Sequence, residues 1–236
     1  MLKYLLLATL LLGAVPTSAQ NSVGINEVVV TAQRRSAEGY DDRIPAVGLS
    51  RLADFAVQEV TVAGDTRDAT RRQEEIYSLV RGAIALASKT SSIELATGEL
   101  VVEPLTLTNY RGLVLKTDGR PDTNKTSFLV KTRLTAGDAK AALARIEAFI
   151  KAVPTIGRAE IKPTDDLTLS IVNPDQYRGR IIDLVAADAL ASAAKLGPDY
   201  AVEARGLDRP VEWSRASLTE VFLYVPYTYV IVPKRR

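Results

Sequence analysis

The sequence predicts an α+β fold, in which helices pack on one face of an antiparallel sheet. Two observations carry this prediction. Stretches with apolar residues at helical spacing alternate irregularly with short β-prone stretches, in the order strand, helix, strands, strand, helix, strands, long helix, strands. This order lacks the strict strand–helix alternation of a parallel sheet, so it favours helices segregated on one face of antiparallel strands. Hydrophobic residues make up 47% of the 236 residues and charged residues 25%, which are ordinary globular proportions.

The first half of the chain predicts a strand, a helix and an extended segment. Residues 55–62 form a Val-rich strand, and Asp65 or Thr66 can cap the helix that follows. That helix runs to about Ser88, and residues 93–107 are then one bent strand or a hairpin. Apolar residues at helical spacing define the buried face of this helix: Ile76, Leu79, Val80, Ala83 and Ala87.

A second strand–helix block follows a turn-rich loop at residues 117–124. Residues 127–134 alternate as a half-buried strand, with Leu129, Lys131 and Arg133 on one of its two faces. A helix then starts at residues 137–138 and stops at Pro154. Two short β runs, 158–162 and 167–172, complete the block.

A third helix and two strands end the chain. Asn173 is the expected N-cap and Pro174 the first-turn residue of a helix that ends at Gly197. Its expected buried face holds Ile182, Val185, Ala186, Ala189, Ala193 and Leu196. Residues 200–207 form a strand, and residues 221–232 form one last strand that is apolar on both faces. Such a strand is either central or covered by a partner, although Pro226 argues against a regular central ladder.

The N-terminus predicts export. Residues 1–19 have the charged start, short apolar run and small-residue end of a signal peptide, with cleavage expected between Ala19 and Gln20. Residues 20–52 are expected to be an N-terminal strand and flexible leader, and residues 53–236 a folded α+β domain. We therefore expect a periplasmic protein with no transmembrane span in its mature chain.

The composition excludes several classes of function. The chain has no His and no Cys, so it has no Ser-His-Asp triad, no thiol nucleophile and no zinc site of the usual ligands. The net charge of +2 gives no strong field for nucleic acid. No catalytic residue, metal-ligand set or cofactor motif is identified, and we expect a protein that is not an enzyme.

The order of these elements resembles the SIMPL domain family of exported bacterial proteins, which includes a periplasmic immunogenic protein. The most specific feature is Asn173-Pro174-Asp175 opening an Ala-rich helix that contains residues 186–189 and 193–196. The resemblance covers roughly residues 25–210. The insert at residues 33–52 and the apolar tail at residues 208–236 depart from it. It implies an α+β fold, a cell-envelope location linked to stress tolerance and ring-like self-assembly, with no catalytic residues.

A second resemblance concerns the N-terminal segment alone. Residues 26–35, which include Val28, Val29, Val30 and Thr31, are similar to the start of TonB-dependent outer-membrane receptors. In those receptors such a segment adds a strand to TonB, which is β-augmentation. The alternative is that these residues form a strand of the domain or a flexible leader.

Two surface groups are candidate contacts. Trp213, Tyr224, Tyr227 and Tyr229 are candidate interface residues, because Tyr and Trp bury area while their polar tips stay satisfied; core packing is an equal alternative. Arg67, Arg71 and Arg72 are a candidate contact for an anion, with a solvated helix face as the alternative. We expect a self-associating envelope protein, or else an accessory partner of a TonB-linked transport system that docks through residues 28–35.

Overall fold

The computed structural model describes residues 27–30, 44–98, 101–164 and 166–234, and it confirms the α+β fold. Three helices are described: α1 (Ala69–Ala87), α2 (Ala139–Ala152) and α3 (Arg178–Ala194). The strands of the first half are β1 (Glu27–Val30), β2 (Leu49–Leu52), β3 (Phe55–Gly64), β4 (Glu94–Thr97), β5 (Val101–Pro104) and β6 (Lys116–Thr117). Those of the second half are β7 (Asn124–Arg133), β8 (Glu160–Pro163), β9 (Thr168–Val172), β10 (Tyr200–Arg205), β11 (Glu212–Arg215), β12 (Glu220–Tyr224) and β13 (Thr228–Pro233).

The main sheet is antiparallel and closes on itself. Its eight strands run in the order β6-β7-β4-β5-β1-β9-β3-β8, and β3 also pairs with β7. The β3–β7 ladder extends from Phe55↔Arg133 to Gly64↔Asn124. Six of these strands therefore form a closed ring, in the order β7, β4, β5, β1, β9 and β3. The other two strands of this sheet, β6 and β8, lie outside the ring.

Ring closure gives the sheet an inner and an outer face, and both carry buried apolar side chains. The inner face holds an apolar cluster of Phe55, Val57, Ala96, Val102 and Leu129. The outer face of β3 and β7 presents Ala56, Val60, Val62, Phe128 and Val130 to the larger core. Alternation along each strand produces this division, since successive side chains point to opposite faces.

Helices α1 and α2 cover the outer face of the ring, as the fold prediction requires. The core that contains the outer-face residues also contains one stripe from each helix: Ile76, Leu79, Val80 and Ala83 of α1, and Ala142, Ile146, Phe149 and Ile150 of α2. The predicted cap of α1 was wrong, because Asp68 caps it by accepting a hydrogen bond from the Arg71 N–H at 2.7 Å. Asp65 instead pairs with Arg158, and Thr66 donates to Glu75.

Helix α3 begins one turn later than the sequence predicts. Asn173 has a left-handed φ of 47° and makes no side-chain cap, and Pro174–Tyr177 form a 3₁₀ helix. The buried face of α3 is the row Ile181, Val185, Ala189 and Ala193, which is narrower than predicted. Of the other residues predicted there, Ile182 is half-buried, whereas Ala186 and Leu196 are exposed.

The predicted last strand is two strands in two different sheets. β12 lies between β11 and β2 in a three-stranded sheet, whereas β13 pairs with β10 in a separate ribbon. Val225, Pro226 and Tyr227 separate them, and Pro226 accounts for the break because its nitrogen cannot donate to a ladder. The sequence analysis missed β2 and β11, which are short and partly polar; β2 lies within the segment that was predicted to be a leader.

Candidate functional site

In the described part of the chain, strand β13 is paired along one edge only, and its other edge is called the open edge below. β13 pairs with β10 along its whole length, from Tyr200↔Pro233 to Arg205↔Thr228. Within the described part of the chain, no strand pairs with its other edge. No charged residue occurs from Val221 to Pro233, and Val230 is 54% exposed. An uncharged apolar edge that no described strand covers is a ready template for another strand.

Tyr229 fastens this strand to helix α3. Its phenol oxygen lies 3.2 Å from the Asp188 carboxylate and 3.3 Å from the Ser192 hydroxyl, both on α3. Its ring stacks on that of Tyr227, with 6.2 Å between centroids and 7° between planes. Because side chains alternate along a strand, the neighbouring Val230 points away from α3.

Burial raises the pKa of the Tyr227 phenol, and the nearby Asp188 carboxylate and Tyr229 raise it further. A hydrogen bond with the backbone of Val47 acts in the opposite direction. Tyr227 therefore stays neutral well beyond physiological pH and keeps a proton to donate.

The other two aromatic candidates lie elsewhere. Tyr224 is 6% exposed on the central strand β12, where it stacks on Phe222 with 5.8 Å between centroids. Trp213 is half-buried on β11, opposite Leu223, and packs against the main core. The structure thus stacks Tyr227 on Tyr229, whereas Trp213 and Tyr224 belong to the three-stranded sheet.

The N-terminal segment is a strand with neighbours on both sides. Residues Glu27–Val30 pair with β9 along their length, and Glu27 and Val28 also pair with β5. Thr31 and the rest of the candidate docking segment lie outside the described residues. Adding Val28, Val29 and Val30 to another protein's sheet would require β1 to leave the ring.

The arginines at the start of α1 have different roles. Arg72 is 5% exposed, and its guanidinium donates to the Thr66 carbonyl at 2.6 Å and to the Asn124 side chain at 2.6 Å. Arg71 donates to Glu75 at 3.0 Å, although most of its side chain remains exposed. Arg67 is exposed, so Arg67 and Arg71 are the members of this group that an external anion can reach.

Sequence reasoning missed a charged cluster inside the ring. Lys131 forms an ion pair with Glu27, and Ser170 donates to the same carboxylate. All three residues are buried. The Lys131 nitrogen also lies 4.2 Å from the centroid of the Phe55 ring. No local pattern signals this cluster, because its members come from three strands far apart in the sequence.

Within the described residues, no three acidic side chains are placed to hold a metal ion. None of the helices described is long and apolar enough to cross a membrane.

No protein-family model matches the chain, and comparison with curated proteins and with solved structures also gives no significant match.

Proposed function

We propose that this is an exported, non-enzymatic protein of the cell envelope that acts by self-association, like the SIMPL family that its sequence resembles. The observation that carries the proposal is the open edge of β13, an uncharged strand that pairs on one side only among the residues that the structure describes. The proposed partner is the β13 strand of a second copy.

Pairing of two β13 strands is favourable in several respects. It would join two ribbons into one four-stranded sheet in the order β10-β13-β13-β10, with the two-fold symmetry of most dimers. A two-stranded ribbon is marginal on its own, so each copy gains from the addition. The outer edge of β10 is less suitable, because that strand carries Glu203 and Arg205.

The charge pattern favours an antiparallel pair. Lys234 follows β13 directly, and Arg235 and Arg236 come next in the sequence. In an antiparallel pair the two basic ends lie at opposite ends of the new ladder, about 20 Å apart for six residues. In a parallel pair they would lie side by side and repel each other.

The test is the mass in solution of residues 20–236, measured by light scattering on a sizing column. We expect a discrete oligomer whose mass falls to that of the monomer in Val230→Lys, because a lysine on an edge strand blocks its pairing. The matched control is Val114→Lys, since Val114 is 69% exposed and belongs to none of the β-strands. Far-UV circular dichroism verifies that both variants fold.

A wild-type monomer over the whole accessible concentration range would overturn the proposal. So would an oligomer that persists in Val230→Lys, or one that is lost equally in Val114→Lys. The alternative of docking through residues 28–35 has less support, because it requires β1 to leave both of its neighbours. A peptide of residues 26–35 that binds TonB while the intact chain does not would indicate that β1 is held in the ring.

A further inference from the structure

A cleft of about 540 Å³ lies beside the start of β13. Three separate segments meet there: the loop at Pro45, the turn after β10 and the turn before β13. Its walls include Arg205, Arg209, Glu212, Pro226 and Tyr227. The volume falls within the range of pockets that bind small molecules, roughly 300–1,000 Å³.

The turn that follows Arg205 and carries Arg209 is fixed by hydrogen bonds on the side away from the cleft. Arg178, the first residue of α3, donates hydrogen bonds to the carbonyls of both Leu207 and Arg209. Asp175 accepts a hydrogen bond from the Val211 N–H at 3.1 Å. Two charged side chains thus fix a surface turn that would otherwise be free to move, which lowers the entropy lost when a ligand binds.

Gly206 fixes the same turn against the opposite wall. Its φ is +84°, and a Cβ atom there would lie 2.6 Å from the Pro226 carbonyl oxygen. Only glycine allows this approach, since other residues are strained at such a φ and would collide with the backbone. The Arg209 side chain extends over Gly206, with its Cδ 3.6 Å from the position of that Cβ.

The charges in the cleft are not neutralised by each other. Arg205 and Arg209 are exposed and Glu212 is half-buried. Among the ion pairs of the described residues, none includes any of these three side chains. The cleft therefore has two cationic groups against one anionic group. Guanidinium groups match the geometry of carboxylate and phosphate oxygens and bind them in bidentate fashion.

We propose that this cleft binds a small organic anion, with its carboxylate or phosphate group against Arg205 and Arg209 and its body against Pro45, Pro226 and Tyr227. The Tyr227 hydroxyl and the Glu212 carboxylate supply one donor and one acceptor for polar groups on that body. The proposal does not depend on self-association.

Titration calorimetry with four probes tests this site. Phenyl phosphate and benzoate carry both a ring and an anionic group, phenol carries the ring alone, and inorganic phosphate carries the anion alone. We expect phenyl phosphate or benzoate to bind at least tenfold more tightly than either phenol or inorganic phosphate. The affinity of that probe should fall as the salt concentration increases. If phenyl phosphate binds more tightly than benzoate, the ligand is a phosphate; if benzoate binds more tightly, the ligand is a carboxylate. Trp213 is the only tryptophan and follows Glu212, so its fluorescence gives a second readout.

The variant Arg205→Gln/Arg209→Gln should lower the affinity for the tighter-binding probe by tenfold or more. Arg81→Gln is the matched control, because Arg81 is exposed on α1 and is not among the residues that line the cleft. Binding by neither ring-bearing anion would overturn the proposal, and so would equal losses in the double variant and in Arg81→Gln. The Val230→Lys monomer should bind as the wild type does, so failure of the assembly proposal leaves this test intact.

Discussion

Glu27 and Lys131 form an ion pair inside the ring of strands, although 104 residues separate them in the sequence. Ser170 donates to the same carboxylate, so side chains of β1, β7 and β9 are joined through the Glu27 carboxylate. Lys131 also lies 3.5 Å from Glu94 of β4 and over the ring of Phe55 of β3. Five of the six strands of the ring thus contribute to this cluster, which joins the N-terminal strand to the rest of the sheet.

Removing one partner of this pair should cost much more stability than removing both. Lys131→Met leaves the Glu27 carboxylate buried without its cation, and we expect a loss of about 3–5 kcal/mol in the free energy of unfolding. Replacing both, in Glu27→Leu/Lys131→Met, should recover most of that loss, because a buried ion pair roughly breaks even against apolar residues. Urea denaturation of the wild type, the two single variants and the double variant measures the cycle.

The exposed pair between Lys125 and Asp118 is the control. Its nitrogen and oxygen are 2.7 Å apart, but both side chains are about two-fifths exposed. Lys125→Met should cost less than about 1 kcal/mol. If the losses in the free energy of unfolding of the two single variants simply add up in the double variant, Glu27 and Lys131 are not energetically coupled, which would contradict the prediction.

The same cluster marks the limit of sequence reasoning. Alternation in β7 correctly predicts a strand and its two faces, and it groups Leu129, Lys131 and Arg133 together. That face would be expected to be exposed to solvent, since two of its three residues are charged. Ring closure places Leu129 and Lys131 inside, and closure depends on the long-range register of β3 with β7. A pattern local to one strand contains no information about that register.

The C-terminal region shows a similar division. The apolar run at residues 221–232 and the break at Pro226 are both visible in the sequence. The assignment of the two halves to different sheets follows from pairing partners outside the run, such as Trp213 opposite Leu223 and Glu203 opposite Val230. The cleft beside β13 left no sequence signal, because its walls come from three separate segments.

Gly157 should not tolerate a side chain. Its φ is +57°, and a Cβ atom there would lie 2.3 Å from the Glu75 carboxyl carbon. That carboxylate has little room to yield, because Thr66, Arg71 and the Arg158 N–H all donate to it. Gly157→Ala should therefore destabilise the fold by more than about 1 kcal/mol, measured by urea denaturation.

Gly82→Ala is the opposite case and serves as the control. Gly82 lies within α1, and no atom lies within 4 Å of the position of its Cβ. Alanine favours a helix over glycine, so this variant should be more stable by about 0.5–1 kcal/mol. A Gly157→Ala variant as stable as Gly82→Ala would show that the turn at residue 157 relaxes freely.

Acid should weaken the fold through Glu75. The Thr66 hydroxyl holds the pKa of this carboxyl below its usual value, helped by the Arg158 backbone N–H and by Arg71. A carboxyl with a lowered folded-state pKa contributes stability above its unfolded pKa, near 4.3, and loses it as pH falls through the folded value. The free energy of unfolding should therefore decline below about pH 5.

Two variants separate the contribution of Glu75 from that of other carboxyls. Asp65 and Asp138 also have lowered pKa values, through Arg158 and Arg145 respectively, so part of the acid response remains when Glu75 is replaced. Glu75→Gln should flatten the decline measured between pH 6 and pH 2.5. Thr66→Val should flatten it less, because the other two donors remain. An unchanged pH profile in Glu75→Gln would refute this assignment.

Tyr229 should control the local stability of β13. Its phenol reaches Asp188 and Ser192 on α3 and is the polar link between the ribbon and that helix. Tyr229→Phe keeps the stacked ring but removes these contacts, so we expect a loss of about 1 kcal/mol and faster amide exchange at residues 228–232. Hydrogen–deuterium exchange in the Val230→Lys background excludes protection by a second copy.

Tyr200→Phe provides the comparison, because Tyr200 is an exposed tyrosine of the same ribbon, opposite Pro233. It should leave exchange in β13 unchanged. If Tyr229→Phe also leaves exchange unchanged, then apolar packing alone holds the strand on α3, and the edge offered to a second copy does not depend on the phenol. If exchange rises along the whole of β13, the contact with α3 keeps the edge strand ordered before any partner arrives, which is the condition that β-pairing between two copies requires.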